Sequence, residues 1–143
     1  MPSIVLNKDT EQCLREILTF EGFELSPERK AGETGVDIIA NRNIDVFHIE
    51  VIGYKSSGPA RAKDFYESFF RVISRLNNGA EKCVIAMPIN AKIGLPARAN
   101  QYGIAWDRIG MAFPELEIWL IDIKNKQIEK STWAEWRKPK KLT

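Results

Sequence analysis

The chain has 143 residues, 44% of them hydrophobic and 28% charged, with a formal net charge of +2, which suits a single domain with one core and by itself selects no polyanionic partner. No stretch approaches the roughly 20 apolar residues of a membrane span, and Met1 to Gln12 lacks the basic start and apolar core of a secretory leader. A membrane partner is therefore not expected, and a cytoplasmic setting is.

Asp9, followed by Thr10, Glu11 and Gln12, predicts a capping side chain ahead of a helix. Along it Cys13, Leu14, Ile17, Leu18 and Phe20 recur near helical spacing, and Glu21-Gly22-Phe23 ends it. Phe23 to Ser26 reads as a short strand and Pro27 to Gly35 as a polar loop. Val36 to Ala40, the turn residues Asn41 to Asp45 and the run Val46 to Tyr54 then predict a β-hairpin. Gly58-Pro59 opens a second helix whose Phe65, Phe69, Val72, Ile73 and Leu76 share one face, closed by Asn77-Asn78-Gly79. Cys83 to Met87 is a buried strand stopped by Pro88, Pro96 to Phe113 a helix despite Gly103 and Gly110, and Glu117 to Ile123 a last strand. The order α-β-β-β-α-β-α-β places the chain in the α/β class, with a mixed β-sheet flanked by helices.

Cys13 and Cys83 read as small buried residues, and with a single His they cannot assemble a zinc site. Residues 124–143 form a basic tail; between positions 126 and 141, Lys126, Lys130, Arg137, Lys138, Lys140 and Lys141 face only Glu129 and Glu135. Such a run serves solubility as readily as phosphate contact. Trp133 and Trp136 read as an aromatic clasp on the core, with base stacking as the alternative.

Two acids interrupt the apolar hairpin, Asp37 in Gly-Val-Asp-Ile-Ile-Ala and Glu50 in Phe-His-Ile-Glu-Val-Ile-Gly. A carboxylate buried bare costs several kcal/mol, so each needs a cation, a metal or a proton. If the strands pair through the turn near Asn41 to Asn43, both acids reach one end of the sheet on one face. There they would make a hard-oxygen site for Mg2+ or Mn2+, an ion that can polarise a phosphodiester and activate water without a Ser or His nucleophile.

Gly-Val-Asp, followed thirteen positions after its Asp by the Glu of Ile-Glu-Val, resembles the PD-(D/E)XK nuclease superfamily. The helix and strand order over residues 9–90 is most similar to its archaeal Holliday-junction resolvase and Mrr-type branches. The resemblance implies a restriction-endonuclease-like core, a single nuclease-like domain over residues 1–143, and a metal-dependent endonuclease acting on DNA. It also implies Asp37 and Glu50 as ligands of Mg2+ or Mn2+, with an acid of the first helix assisting. Glu11 occupies that place and Glu16 is a weaker candidate; without the resemblance, Glu11 is a first-turn acid serving the helix dipole. A homodimer is expected on the same basis, since resolvase-like relatives act as two-fold dimers.

The sequence departs from the pattern at Ile52, where the family carries its Lys two residues after the Glu. Lys55 alternates to the opposite face unless a bulge at Gly53 changes the parity. Lys55 ranks first and Lys63, ahead of Arg61, second as a replacement cation from the segment that follows. His48 shares the parity of Glu50 and takes a minor supporting role, and the stretch Tyr54 to Gly58 is a polar loop able to contact phosphates. Lys63, Asp64, Glu67, Arg71 and Arg75 read as a solvated helix face, with Arg71 and Arg75, or Arg98 and Arg108, as alternative phosphate ridges. The competing functions are a nuclease-fold module without turnover that binds DNA or a partner nuclease, and a scaffold whose Asp37 and Glu50 pair with arginines.

Overall fold

The computed structural model describes residues 4–30 and 36–137. Part of the loop expected over residues 27–35, and Lys138, Lys140 and Lys141 of the basic run, lie outside the described residues. Helix α1 (Asn7–Phe20) buries Cys13, Leu14 and Leu18. It starts earlier than the sequence suggests, with Leu6 at the cap position and no capping side chain. Asp9 falls instead in the first turn, where its charge complements the helix dipole. Gly22, at a φ of 93°, releases the chain into strand β1 (Glu24–Leu25).

Strands β2 (Ile38–Arg42) and β3 (Asp45–Val51) form the expected antiparallel hairpin, with Ile38 opposite Ile49. Asn43 turns the corner in the left-handed region at a φ of 56°, which its short polar side chain tolerates. Helix α2 (Gly58–Ile73) is capped by Ser57, whose side chain accepts the Ala60 N–H at 3.2 Å, and carries a Pro in its first turn. It leads through a 3-10 turn to Gly79 and then to strand β4 (Lys82–Pro88).

The long helix expected over residues 96–113 is two helices, α3 (Leu95–Tyr102) and α4 (Ile104–Ala112). Gly103, at φ 55° and ψ −118°, leaves helical geometry between them, a backbone state open to a residue without a Cβ. Strand β5 (Leu116–Asp122) follows, and then a strand that sequence patterning misses, β6 (Gln127–Thr132). Of the six residues of β6 only Ser131 is buried, so this edge strand has no apolar stripe to announce it. The segment predicted as a basic tail therefore begins as part of the sheet.

The six strands lie in sequence order. Pairs β3/β4 and β4/β5 are parallel, bridged by α2 and by α3 with α4, while the remaining pairs are antiparallel. Helix α1 covers one face, packing on Ile38, Ile49, Val84 and Trp119. Helices α2, α3 and α4 cover the other over Ile85, Met87, Ile118 and Leu120. Trp133 is buried on this second face, its ring 3.7 Å from that of Trp106, and each indole N–H donates to the other residue's carbonyl at 2.9 Å. Among the described residues no helix is long and apolar enough to cross a membrane.

Candidate functional site

Alternation along β3 sends Ile49 and Val51 into the α1 core and Glu50 and Ile52 to the α2 side. Asp37 lies at a bend one residue ahead of β2 rather than within the strand, and antiparallel pairing brings it beside the end of β3. Its Oδ2 accepts the Val51 N–H at 2.7 Å. Asp37 and Glu50 thus line one cleft of about 120 Å³. Helix α1 adds Asn7 and Glu11 to this cleft, and α2 adds Asp64, Glu67 and Arg71.

Several contacts fix that end of the sheet. Arg15 pairs with Glu11 at 2.8 Å and donates to the Ser26 and Asp37 carbonyls at 2.7 and 3.0 Å, tying the segment before β2 to α1. Asn7 accepts the Gly53 N–H at 2.8 Å, and Val5 pairs with Tyr54 across the same place. A Cβ on Gly53 would lie 2.2 Å from the Val5 carbonyl oxygen. Gly53 therefore permits a close backbone crossing, and β3 ends at Val51 with no parity-changing bulge.

The cleft is strongly acidic. Glu11, Asp37, Glu50, Asp64 and Glu67 face Arg29 and Arg71, a formal excess of three negative charges. Glu50 is only 2% exposed. Burial first, and the charge of Asp37 second, push its carboxyl up to about 7, with Arg71 and Arg29 pulling the other way. Its Oε1 stands 3.6 Å from Arg71, while its Oε2 is buried without a hydrogen-bond partner. Asp64 Oδ2 is likewise buried and unpartnered. Two orphaned carboxylate oxygens in one acidic cleft are the environment a cation relieves.

Among the described residues no three His, Cys, Asp or Glu side chains form a ready metal cluster. Asp37 and Glu50 offer two carboxylates, a number that suits magnesium, which keeps several of its waters. Glu50 Oε2 is the free acceptor of the pair, while Asp37 has Oδ1 on Arg29 and Oδ2 on the Val51 N–H, so an ion held by both acids would take the place of Arg29.

The replacement cations expected from the sequence stand elsewhere. Lys55 does not line the cleft; it pairs with Asp64 at 3.0 Å from outside. Lys63 is 76% exposed and 3.8 Å from Glu67. Arg61 turns away to stack over Tyr54 and donate to the Lys55 carbonyl. Glu16 pairs with Lys126 and has no place in the cleft, and His48, buried on the α2 face, does not line it either.

Among the described residues, the cations that pair with Asp37 and Glu50 are Arg71, which the sequence marks only as part of a solvated face or phosphate ridge, and Arg29, whose Nη2 is 2.6 Å from Asp37 Oδ1. Arg71 lies on the same side of α2 as Asp64 and Glu67, at the helical spacing 64, 67, 71, and that spacing is the signal that could have found it. Arg29 comes from a polar loop with no periodicity to read.

Comparison with protein-family models, with curated proteins and with solved structures gives no match. The functional reading accordingly rests on the cleft and its charges.

Proposed function

We propose that this protein is a metal-dependent endonuclease-like protein of the PD-(D/E)XK type, with a restriction-endonuclease-like core, acting on DNA phosphodiesters. The observation that carries the reading is the convergence of Asp37 and Glu50 on one cleft, with a buried Glu50 oxygen lacking any partner. An excess of three negative charges repels a phosphodiester, so the cleft needs a cation before it can receive DNA. Asp37 and Glu50 would hold Mg2+ or Mn2+, which supplies Lewis-acid charge for the phosphodiester oxygens. Glu11, held by Arg15, keeps the site acidic and orders its α1 wall.

Arg71 takes the part of the Lys that Ile52 displaces. Once Glu50 is otherwise neutralised, the guanidinium is released toward a phosphate and can stabilise its developing charge, a contribution of about 3 kcal/mol for a well-placed donor. Lys55 serves through Asp64, holding that carboxylate in place.

Purified protein should nick or cut branched, duplex or single-stranded DNA with magnesium or manganese, and Asp37→Ala should abolish it. If no such substrate is cut and Asp37→Ala leaves divalent-ion binding unchanged, the reading is wrong.

A second reading has its own support, namely Ile52 in place of the Lys and the Arg29 and Arg71 pairs that already neutralise the acids. It makes the chain a nuclease-fold module without turnover that binds DNA or a partner nuclease. Salt-sensitive DNA binding that survives Asp37→Ala, with no cleavage, selects it.

A further inference from the structure

Beyond Ile52, which forms part of both walls, lies a second and larger pocket of about 350 Å³. Its interior is apolar, built from Ile52, Phe65, Met87 and Leu95, and two arginines, Arg61 and Arg98, stand in its wall. Both guanidiniums lie over aromatic rings, Arg61 at 4.6 Å from the Tyr54 centroid and Arg98 at 5.0 Å from that of Phe65. Among the described residues neither pairs with a carboxylate, although most other arginines near the acidic cleft do. Half-buried guanidiniums held over rings and left without a carboxylate are prepared for an anion from outside.

Two glycines border the pocket. Gly58 and Gly94 both line it, and a Cβ added at either meets nothing within 4 Å. A volume of about 350 Å³ is at the small end of ligand pockets; it accommodates one planar heterocycle with its sugar and phosphate and is too small for a base pair.

We propose that this pocket binds a single unpaired nucleotide, its phosphate on Arg61 and Arg98 and its base against the apolar wall. The proposal deepens the nuclease reading and rests on it for its purpose. It makes the preferred substrate a strand with an unpaired or extruded nucleotide beside the phosphodiester that enters the acidic cleft, rather than intact duplex.

The test uses deoxyadenosine 5′-monophosphate as the probe, with the full-length protein in EDTA, so that binding is read without the divalent ion. The mononucleotide should bind, with inorganic phosphate and adenosine at least tenfold weaker. Arg61→Ala and Arg98→Ala should each weaken it tenfold or more. Gly94→Phe, which sets a large ring on the pocket lining at a position with open space and an ordinary φ of −89°, should abolish it while leaving the thermal transition in place. In magnesium the same variant should lose at least tenfold in cleavage of single-stranded DNA relative to duplex. No mononucleotide binding by the unsubstituted protein, or equal binding by all variants, overturns the proposal. Mononucleotide binding without cleavage of any DNA leaves the pocket standing and removes the nuclease; cleavage without mononucleotide binding removes only the pocket.

Discussion

Glu50→Gln isolates the cost of the buried acid. The carboxyl is raised from 4.5 to about 7 in the folded protein, which corresponds to about 3 kcal/mol at roughly 1.4 kcal/mol per pH unit. Because the folded-state value lies above the unfolded one, the native protein holds the extra proton between those two pH values, and its stability falls as pH rises through that window. Below about pH 4.5 both states are protonated and Glu50 costs nothing; above about 7 the full penalty is present.

Glutamine keeps the shape and removes the charge, so in EDTA the variant should match the unsubstituted protein near pH 4.5 and exceed it by about 3 kcal/mol at pH 8. Urea unfolding of both proteins at half-unit pH intervals measures the gap. Magnesium should then raise the stability of the unsubstituted protein at pH 8 and leave the variant almost unmoved. A gap that stays constant with pH, or a variant that is less stable at pH 8, would refute the claim that burial dominates over the Arg71 contact.

Ile52→Lys restores a cation on the face of Glu50 and should raise cleavage about tenfold or more, whereas Arg71→Ala should lower it by about 10²-fold; single-turnover assays on labelled DNA compare them, and an Arg71→Ala variant with full activity removes that residue from the proposed role. Gly53→Ala forces a methyl to within 2.2 Å of the Val5 carbonyl oxygen, and overpacking against backbone should cost about 1–3 kcal/mol in urea unfolding and loosen the cleft. Trp133→Ala removes a buried indole stacked 3.7 Å from Trp106 together with the hydrogen bond that its N–H donates to the Trp106 carbonyl; a loss of about 3–5 kcal/mol is expected by chemical denaturation, and a loss below 1 kcal/mol would mean the final segment is not part of the core.

Local periodicity was enough for most of the elements. The apolar face of α1, the β-branched hairpin, the apolar face of α2 after Gly58-Pro59 and the apolar run of β4 each bury a stripe that a single stretch of sequence displays. The period of two along β3 also put Glu50 on the face away from α1, whereas Asp37 reaches the same cleft from a bend ahead of β2 that strand parity does not describe. Where burial was slight or the backbone changed state at one residue, that logic had nothing to read. Strand β6 has a single buried position, and the break between α3 and α4 depends on one glycine conformation.

The charges around the acids were decided only by tertiary structure. Arg29 reaches Asp37 from an aperiodic loop, Arg71 reaches Glu50 from a helix that follows it in the chain, and Arg15 binds the backbone before β2 from α1. Lys55, nearest in sequence to the missing Lys, is instead taken by Asp64. Sequence determines which residues alternate within an element, since that follows from covalent geometry. Which distant cation meets a buried carboxylate depends on how the layers pack, because Coulomb attraction and desolvation act through space and are indifferent to separation along the chain.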